Sequence, residues 1–173
     1  RRGRTLQAIR DFDPDIVGTQ ECRTEQADYL RVAMPDYGFV GAGRDDGLRR
    51  GEMCALFYKA KRFDLIDAGH FWLRPTPERP GSRGWGSLFP RMVSWAKLRS
   101  RTDGRDICVF NTHFPHSPFN GRARRESARL LREQIDSIAG LMPVIVTGDF
   151  NTGADTDPHQ ILVSDDGAWP ALS

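Results

Sequence analysis

Three short polar clusters stand out in the 173-residue sequence, each directly after a run of apolar and β-branched residues: Gln20-Glu21, Asn111-Thr112-His113 and Asp149-Phe150-Asn151. Glu21 and Asp149 are hard oxygen donors of the kind that hold Mg²⁺ or Mn²⁺ while leaving coordination positions for water and a phosphate; they suit zinc poorly. His113 adds an imidazole. If the third run is a strand, alternation puts Asp149 and Asn151 on one side and Phe150 on the other, so a carboxylate and an amide converge while the ring packs behind them. Open α/β sheets place ligand sites at the carboxyl ends of their strands. An acid, an imidazole and an Asp-Asn pair could therefore share one site. Taken singly, each cluster has a plainer reading, because an acid after a strand commonly serves as a helix cap or a solvated turn.

The elements that must position these groups are legible from period and punctuation. Leu6 and Ile9 suggest the end of an amphipathic helix, stopped at Asp13-Pro14. Residues 16–20 are short, apolar and β-branched, as a buried strand would be, and deliver Glu21 to its end. Thr24 offers an N-cap, with Glu25 in the first turn, for a helix to about Met34 that carries Ala27, Leu30 and Met34 on one face. Residues 37–41, 53–58, 63–73, 93–98 and 107–114 read as strands, the last two joined by a hairpin at Thr102-Asp103-Gly104. Residues 74–90, rich in Pro and Gly, read as a long surface loop. Asn120 can cap a helix with Ala128, Leu131, Ile135 and Ile138 as its apolar stripe. A final buried strand over 143–148 ends in Asp149. The pattern is α/β, in one domain over residues 1–173, with no repeat or linker.

Composition narrows the classes. Hydrophobic residues make up 39% and aromatics 10%, enough to bury a core, and 25 basic against 23 acidic residues give a net charge of +2, which is no polycation. No apolar run reaches the 18 or so residues of a membrane span. Cys22, Cys54 and Cys108 are odd in number and outside any CxxC spacing, so they read as small core hydrophobes, and unpaired thiols favour a cytoplasmic compartment. The first residue is Arg and the opening residues look like the middle of a helix, so upstream sequence is expected.

Pro14-Asp15-Ile16-Val17-Gly18-Thr19-Gln20-Glu21, Asn111-Thr112-His113-Phe114 and Gly148-Asp149-Phe150-Asn151 together resemble the signature of the endonuclease/exonuclease/phosphatase superfamily. Its members include DNase I-like nucleases, inositol polyphosphate 5-phosphatases, neutral sphingomyelinases and carbon-catabolite-repressor-type deadenylases. The likeness runs through nearly the whole chain. The segments from Gly41 to Gly47, Gly51-Glu52, Phe71-Trp72-Leu73 and Arg91-Met92-Val93-Ser94-Trp95 resemble a bacterial branch with mostly unassigned substrates. The resemblance implies a DNase I-like four-layer α/β sandwich, two mixed β-sheets face to face with helices outside, here without the family's first strand and C-terminal strands. It also implies a phosphoesterase dependent on Mg²⁺ (or Mn²⁺), acting on a phosphate-ester substrate. A phosphodiesterase or nuclease acting on nucleic acid is the leading reading. The alternatives are a lipid or sugar-phosphate phosphatase of the same fold and a non-catalytic phosphate-binding module.

By the same resemblance Glu21 is the metal ligand, Asp149 orients or activates the attacking water, Asn151 holds the phosphate and supports Asp149, and His113 contacts the phosphate or protonates the leaving oxygen. Asn111 and Arg91 are placed at the substrate, Asn111 by supporting hydrogen bonds. The family's terminal Asp-His pair has no counterpart, since only His116 and His159 lie downstream of His113. The chain is therefore expected to be a fragment with little activity of its own. Plainer readings cover the rest: a solvated strand end for Arg91, a solvated helix face for Arg122, Arg124, Arg125, Arg129 and Arg132, turn and strand-edge roles for Asp46 and Glu52, a strand role for His70, and core for Trp72 and Trp95. Of the four tryptophans, Trp169 included, Trp85 in the Pro/Gly-rich loop is the one plausible residue to stack on a base.

Overall fold

In the computed structural model, which describes residues 2–164, the chain runs α1 (Arg2–Phe12), β1 (Ile16–Arg23), α2 (Thr24–Ala33), β2 (Tyr37–Val40), β3 (Glu52–Lys59), β4 (Phe63–Trp72), β5 (Met92–Ser100), β6 (Asp106–His113), a 3₁₀ turn (Pro118–Asn120), α3 (Gly121–Ala139), β7 (Val144–Asp149) and α4 (Asp157–Val163). Trp169 lies outside the described residues. The strands form two sheets, ordered β1-β3-β2 and β4-β5-β6-β7. Every pairing is antiparallel except β6 with β7, so among the described strands only the second sheet is mixed.

Alternation along β3 shows how the layers arise. Met53, Ala55 and Phe57 face Leu6 and Ile9 of α1 and Ala27 and Leu30 of α2. Leu56 and Tyr58 face the other sheet, meeting Ala96, Leu98 and Val109. On that sheet's far side Val93, Cys108 and Phe110 pack under Ala128, Leu131 and Ile135 of α3 and Leu162 of α4. The order is helix, sheet, sheet, helix, which is the four-layer sandwich. Burying a side chain such as Leu131 or Phe57, neither measurably exposed, stabilises by about 1.5–3 kcal/mol. All three cysteines are free and buried, as core residues.

Several local expectations are corrected. Thr24 does not cap α2: its hydroxyl donates to Arg49 O, and the N-cap is Arg23, whose backbone N–H donates to Gln26 Oε1 at 2.9 Å. Asn120 makes no side-chain cap bond; Ser117 instead accepts from Phe119 N in the preceding turn. Of the arginines on α3, Arg132 is buried and donates to Leu162 O at 2.9 Å, while Arg124 donates to Pro115 O and Ser117 O. They fasten the β6–α3 loop and α4 rather than forming a wholly solvated face. α4, only seven residues long, is too short to announce itself by period. Trp85 sits half-buried against the cluster around Phe71 instead of standing free to stack.

Candidate functional site

The two sheets approach most closely where β1 crosses β6 and β7. Gly18 permits this, because a Cβ there would lie 2.5 Å from Thr147 Oγ1 and 2.8 Å from Asn111 Oδ1. Asn111 is fully buried at the crossing, and its amide is engaged on both sides. Nδ2 donates to Thr19 O at 2.9 Å and Ala55 O at 3.0 Å, while Oδ1 accepts from Gln20 Nε2 at 2.7 Å and lies 3.1 Å from Thr147 Oγ1. The sequence placed Asn111 at the substrate in a supporting, hydrogen-bonding role. The support is there: with its hydrogen-bonding capacity used by the fold, Asn111 braces the sheets beneath the site.

Glu21 reaches the site through a bulge. Gly18 points toward the other sheet and Val17 packs with the helices, so regular alternation would send Glu21 to the helix side. Glu21 instead adopts φ +53 at a register shift between Thr19 and Cys22. The inserted residue re-aims the side chain, and Glu21 lines a cleft at the end of the sandwich with Arg44, Glu52, Arg91 and His113. Its carboxylate makes no hydrogen bond or ion pair among the described residues.

The parallel pairing of β6 with β7 sets His113 opposite Asp149, with Nε2 and Oδ2 3.7 Å apart. The strand stops there. Asn151 turns left-handed (φ +50) and donates its backbone N–H to Asp149 Oδ1 at 2.9 Å; its side-chain amide donates to Phe114 O at 3.0 Å. The Asp-Asn coupling thus comes from a turn rather than from strand alternation, and Asn151 is committed to holding Asp149 and the β6 end. Phe150 packs behind, edge-on to Phe114 at 5.3 Å. Asp149 Oδ2 is left for other partners, on a side chain about half exposed (53%).

His113 is 5% exposed, and burial together with the nearby Arg91 guanidinium pushes its pKa below the ordinary histidine value, against the pull of Asp149 and Glu21. Burial and the Arg91 charge thus favour its neutral form. Arg91 is equally buried, which overturns its solvated alternative, and burial and the Arg44 charge push its own pKa down. Its Nη2 lies 3.1 Å from His116 Nδ1. Since arginine only donates, Nδ1 must be the acceptor there, which puts the His116 proton on Nε2. The sequence singled out neither Arg44 nor His116, and it weighed Glu52 as a metal or substrate contact but favoured a strand-edge role. Arg44 Nη1 and Glu52 Oε2 are 2.5 Å apart at the mouth of the cleft. The available signal was the glycine-bracketed stretch from Gly41 to Gly51, whose loop folds back on itself.

Among the described residues no group of three His, Cys, Asp or Glu side chains could cage a metal ion. A single unencumbered carboxylate at a polar cleft nevertheless fits Mg²⁺ or Mn²⁺, since Mg²⁺ is commonly held through one or two carboxylates, with waters and a substrate phosphate completing its shell.

The fold and site define a class, the DNase I-like α/β sandwich with its polar centre at one end of the paired sheets. The model of the Endonuclease/Exonuclease/phosphatase family matches residues 1–171, and the chain belongs to that family. It is similar to an endonuclease/exonuclease/phosphatase from Bacteroides vulgatus, 37% identical with a TM-score of 0.91 over 96% of this chain and 63% of that one. It is also similar to the Bacteroides thetaiotaomicron mannosyl-6-phosphatase Bt3783, 36% identical with a TM-score of 0.87 over 93% and 60%. A CCR4-Not complex 3'-5'-exoribonuclease subunit of Mycosarcoma maydis is 24% identical over 95% of this chain and 31% of its own length. The chain spans less than half the length of the curated relatives it matches.

Proposed function

We propose that the protein hydrolyses phosphate esters with the help of a divalent cation held at Glu21. The observation that carries the reading is the meeting, at one end of the sandwich, of an unpaired carboxylate, a neutral buried imidazole beside Asp149, and a buried guanidinium. Hydrolysis needs negative charge stabilised on the phosphoryl oxygens and a water aligned for attack. Mg²⁺ or Mn²⁺ on Glu21 would supply the first by polarising a non-bridging oxygen. Arg91 adds fixed positive charge in a site shielded from water. His113, neutral in the free protein, donates an N–H to a phosphoryl oxygen more readily than it delivers a proton to the leaving group. Asp149, with Oδ1 held by Asn151, offers Oδ2 to the attacking water.

A phosphodiester of nucleic acid is the substrate the sequence favours, and the exoribonuclease name of one relative supports it. The second reading is a phosphomonoester. It is favoured by the second guanidinium in the cleft and supported by the sugar-phosphatase name of the more similar relative. Assay of the full natural chain on both ester types, with and without Mg²⁺ and after chelation, tests the common claim. Cation-dependent turnover of either ester is expected, and undiminished turnover after exhaustive chelation overturns it.

A further inference from the structure

Arg44 and Arg91 line the same cleft, and each keeps a buried Nε–H with no hydrogen-bond partner. Arg91 is 5% exposed and the Arg44 side chain 15%. A buried charged donor without an acceptor is costly, and the Arg44 charge further disfavours that of Arg91 beside it. The surroundings orient both without satisfying them. His116 Nδ1, 3.1 Å from Nη2, fixes Arg91, which makes no direct ion pair among the described residues. Glu52 takes Nη1 of Arg44, Asp45 Oδ1 stands 3.9 Å from its Nε, too far for a hydrogen bond, the indole N–H of Trp72 donates to Arg44 O at 2.7 Å, and the Arg44 guanidinium lies over the Phe89 ring at 5.4 Å. The loop carrying Arg44 is tightly built: Asp45 N donates to Arg50 O at 3.0 Å, and a Cβ on Gly43 would lie 2.2 Å from that carbonyl oxygen.

We propose that Arg44 and Arg91 together seat a terminal phosphoryl group, so that the cleft selects phosphomonoesters over phosphodiesters. This rests on the phosphoester reading and narrows it. A diester presents two non-bridging oxygens, which the cation and His113 occupy. A monoester presents a third, with a second negative charge, and that is the acceptor the paired guanidiniums lack. Arg44 is thereby a substrate-binding residue that selects the ester class.

The test compares p-nitrophenyl phosphate with bis(p-nitrophenyl) phosphate on the full natural chain in saturating Mg²⁺, for the wild type, Arg44→Gln and Arg44→Lys. Arg44→Gln is expected to lower kcat/KM about 100-fold on the monoester, the loss of a charge-assisted hydrogen bond, and no more than about fivefold on the diester. Arg44→Lys recovers part of the monoester rate, because it keeps the charge without the planar fork. Inorganic phosphate should raise the Tm of the wild type and not that of Arg44→Gln. Equal losses on the two esters, or none, overturn the selective role. Turnover of neither ester by the wild type overturns the phosphoester reading itself. Should Arg44→Gln fail to fold, Arg44→Lys decides by the same ratio of rates.

Discussion

Glu21 combines a left-handed backbone with an unpaired carboxylate, a strained conformation of the kind that persists where surrounding structure enforces it. Replacing Glu21 with Gln removes the charge and keeps the shape, so the Mg²⁺ concentration needed for half-maximal activity should rise by at least about tenfold, as it does when a metal's anchoring groups are lost. A metal titration of the rate measures it. Asp149→Asn keeps the turn at Asn151 and removes the proton acceptor, so kcat should fall by about 10²–10⁴-fold, the usual worth of a general base, with KM little changed. His113 and His70 carry a further signature. Burial holds both pKa values below 6.5, so the unfolded chain takes up protons at a higher pH than the folded one does. Stability from this source is full above about pH 6.5 and declines as the pH falls below it. Urea midpoints measured from pH 7.5 to 5 should fall, and His70→Gln should flatten the decline. These positions were legible because residue type and strand-end placement coincide in them. Arg44 was not, because its role depends on a loop closing across the sheet ends, which no local pattern encodes.

At the scale of elements, the close approach of β1 to β6 and β7 decides whether the site exists. Gly18→Val would drive its side chain into Thr147 and Asn111, and overpacking of this kind costs about 1–3 kcal/mol. Asn111→Leu would leave the carbonyls of Thr19 and Ala55 without its donors, costing about 1–3 kcal/mol for each group left unsatisfied. Denaturant midpoints of the two variants check both values. Apolar runs and turn residues identified β1 to β7, α2 and α3 to within a few residues. Caps were read less well: Arg23 took the position expected of Thr24, and Asn120 stands at the N-cap of α3 without a side-chain bond. The bulge at Glu21 was invisible, since the alternation of residues 16–20 gives no sign that the next residue will break it. The placement of Glu21 at the strand end was therefore legible, and the mechanism that aims it was not.

At the scale of the molecule, the four layers follow from strands that are apolar on both faces. Among the described strands β1 and β2 are the edges of one sheet and β4 and β7 those of the other, and Ile145 on β7 is 43% exposed. Exposed apolar edges invite pairing between chains, so the 173 residues alone should self-associate, and Ile145→Lys should reduce this in light scattering. No helix among the described residues is long and apolar enough to cross a membrane. Glu21, Arg91 and His113 line one cleft at the end of the sandwich, with Asp149 beside His113. The most direct measurement of that claim is the Mg²⁺ dependence of phosphate-ester hydrolysis by the full natural chain, wild type beside Glu21→Gln. Turnover should vanish with chelator, return with Mg²⁺, and need far more Mg²⁺ once Glu21 is gone. Hydrolysis with the same Mg²⁺ dependence in both proteins would contradict it.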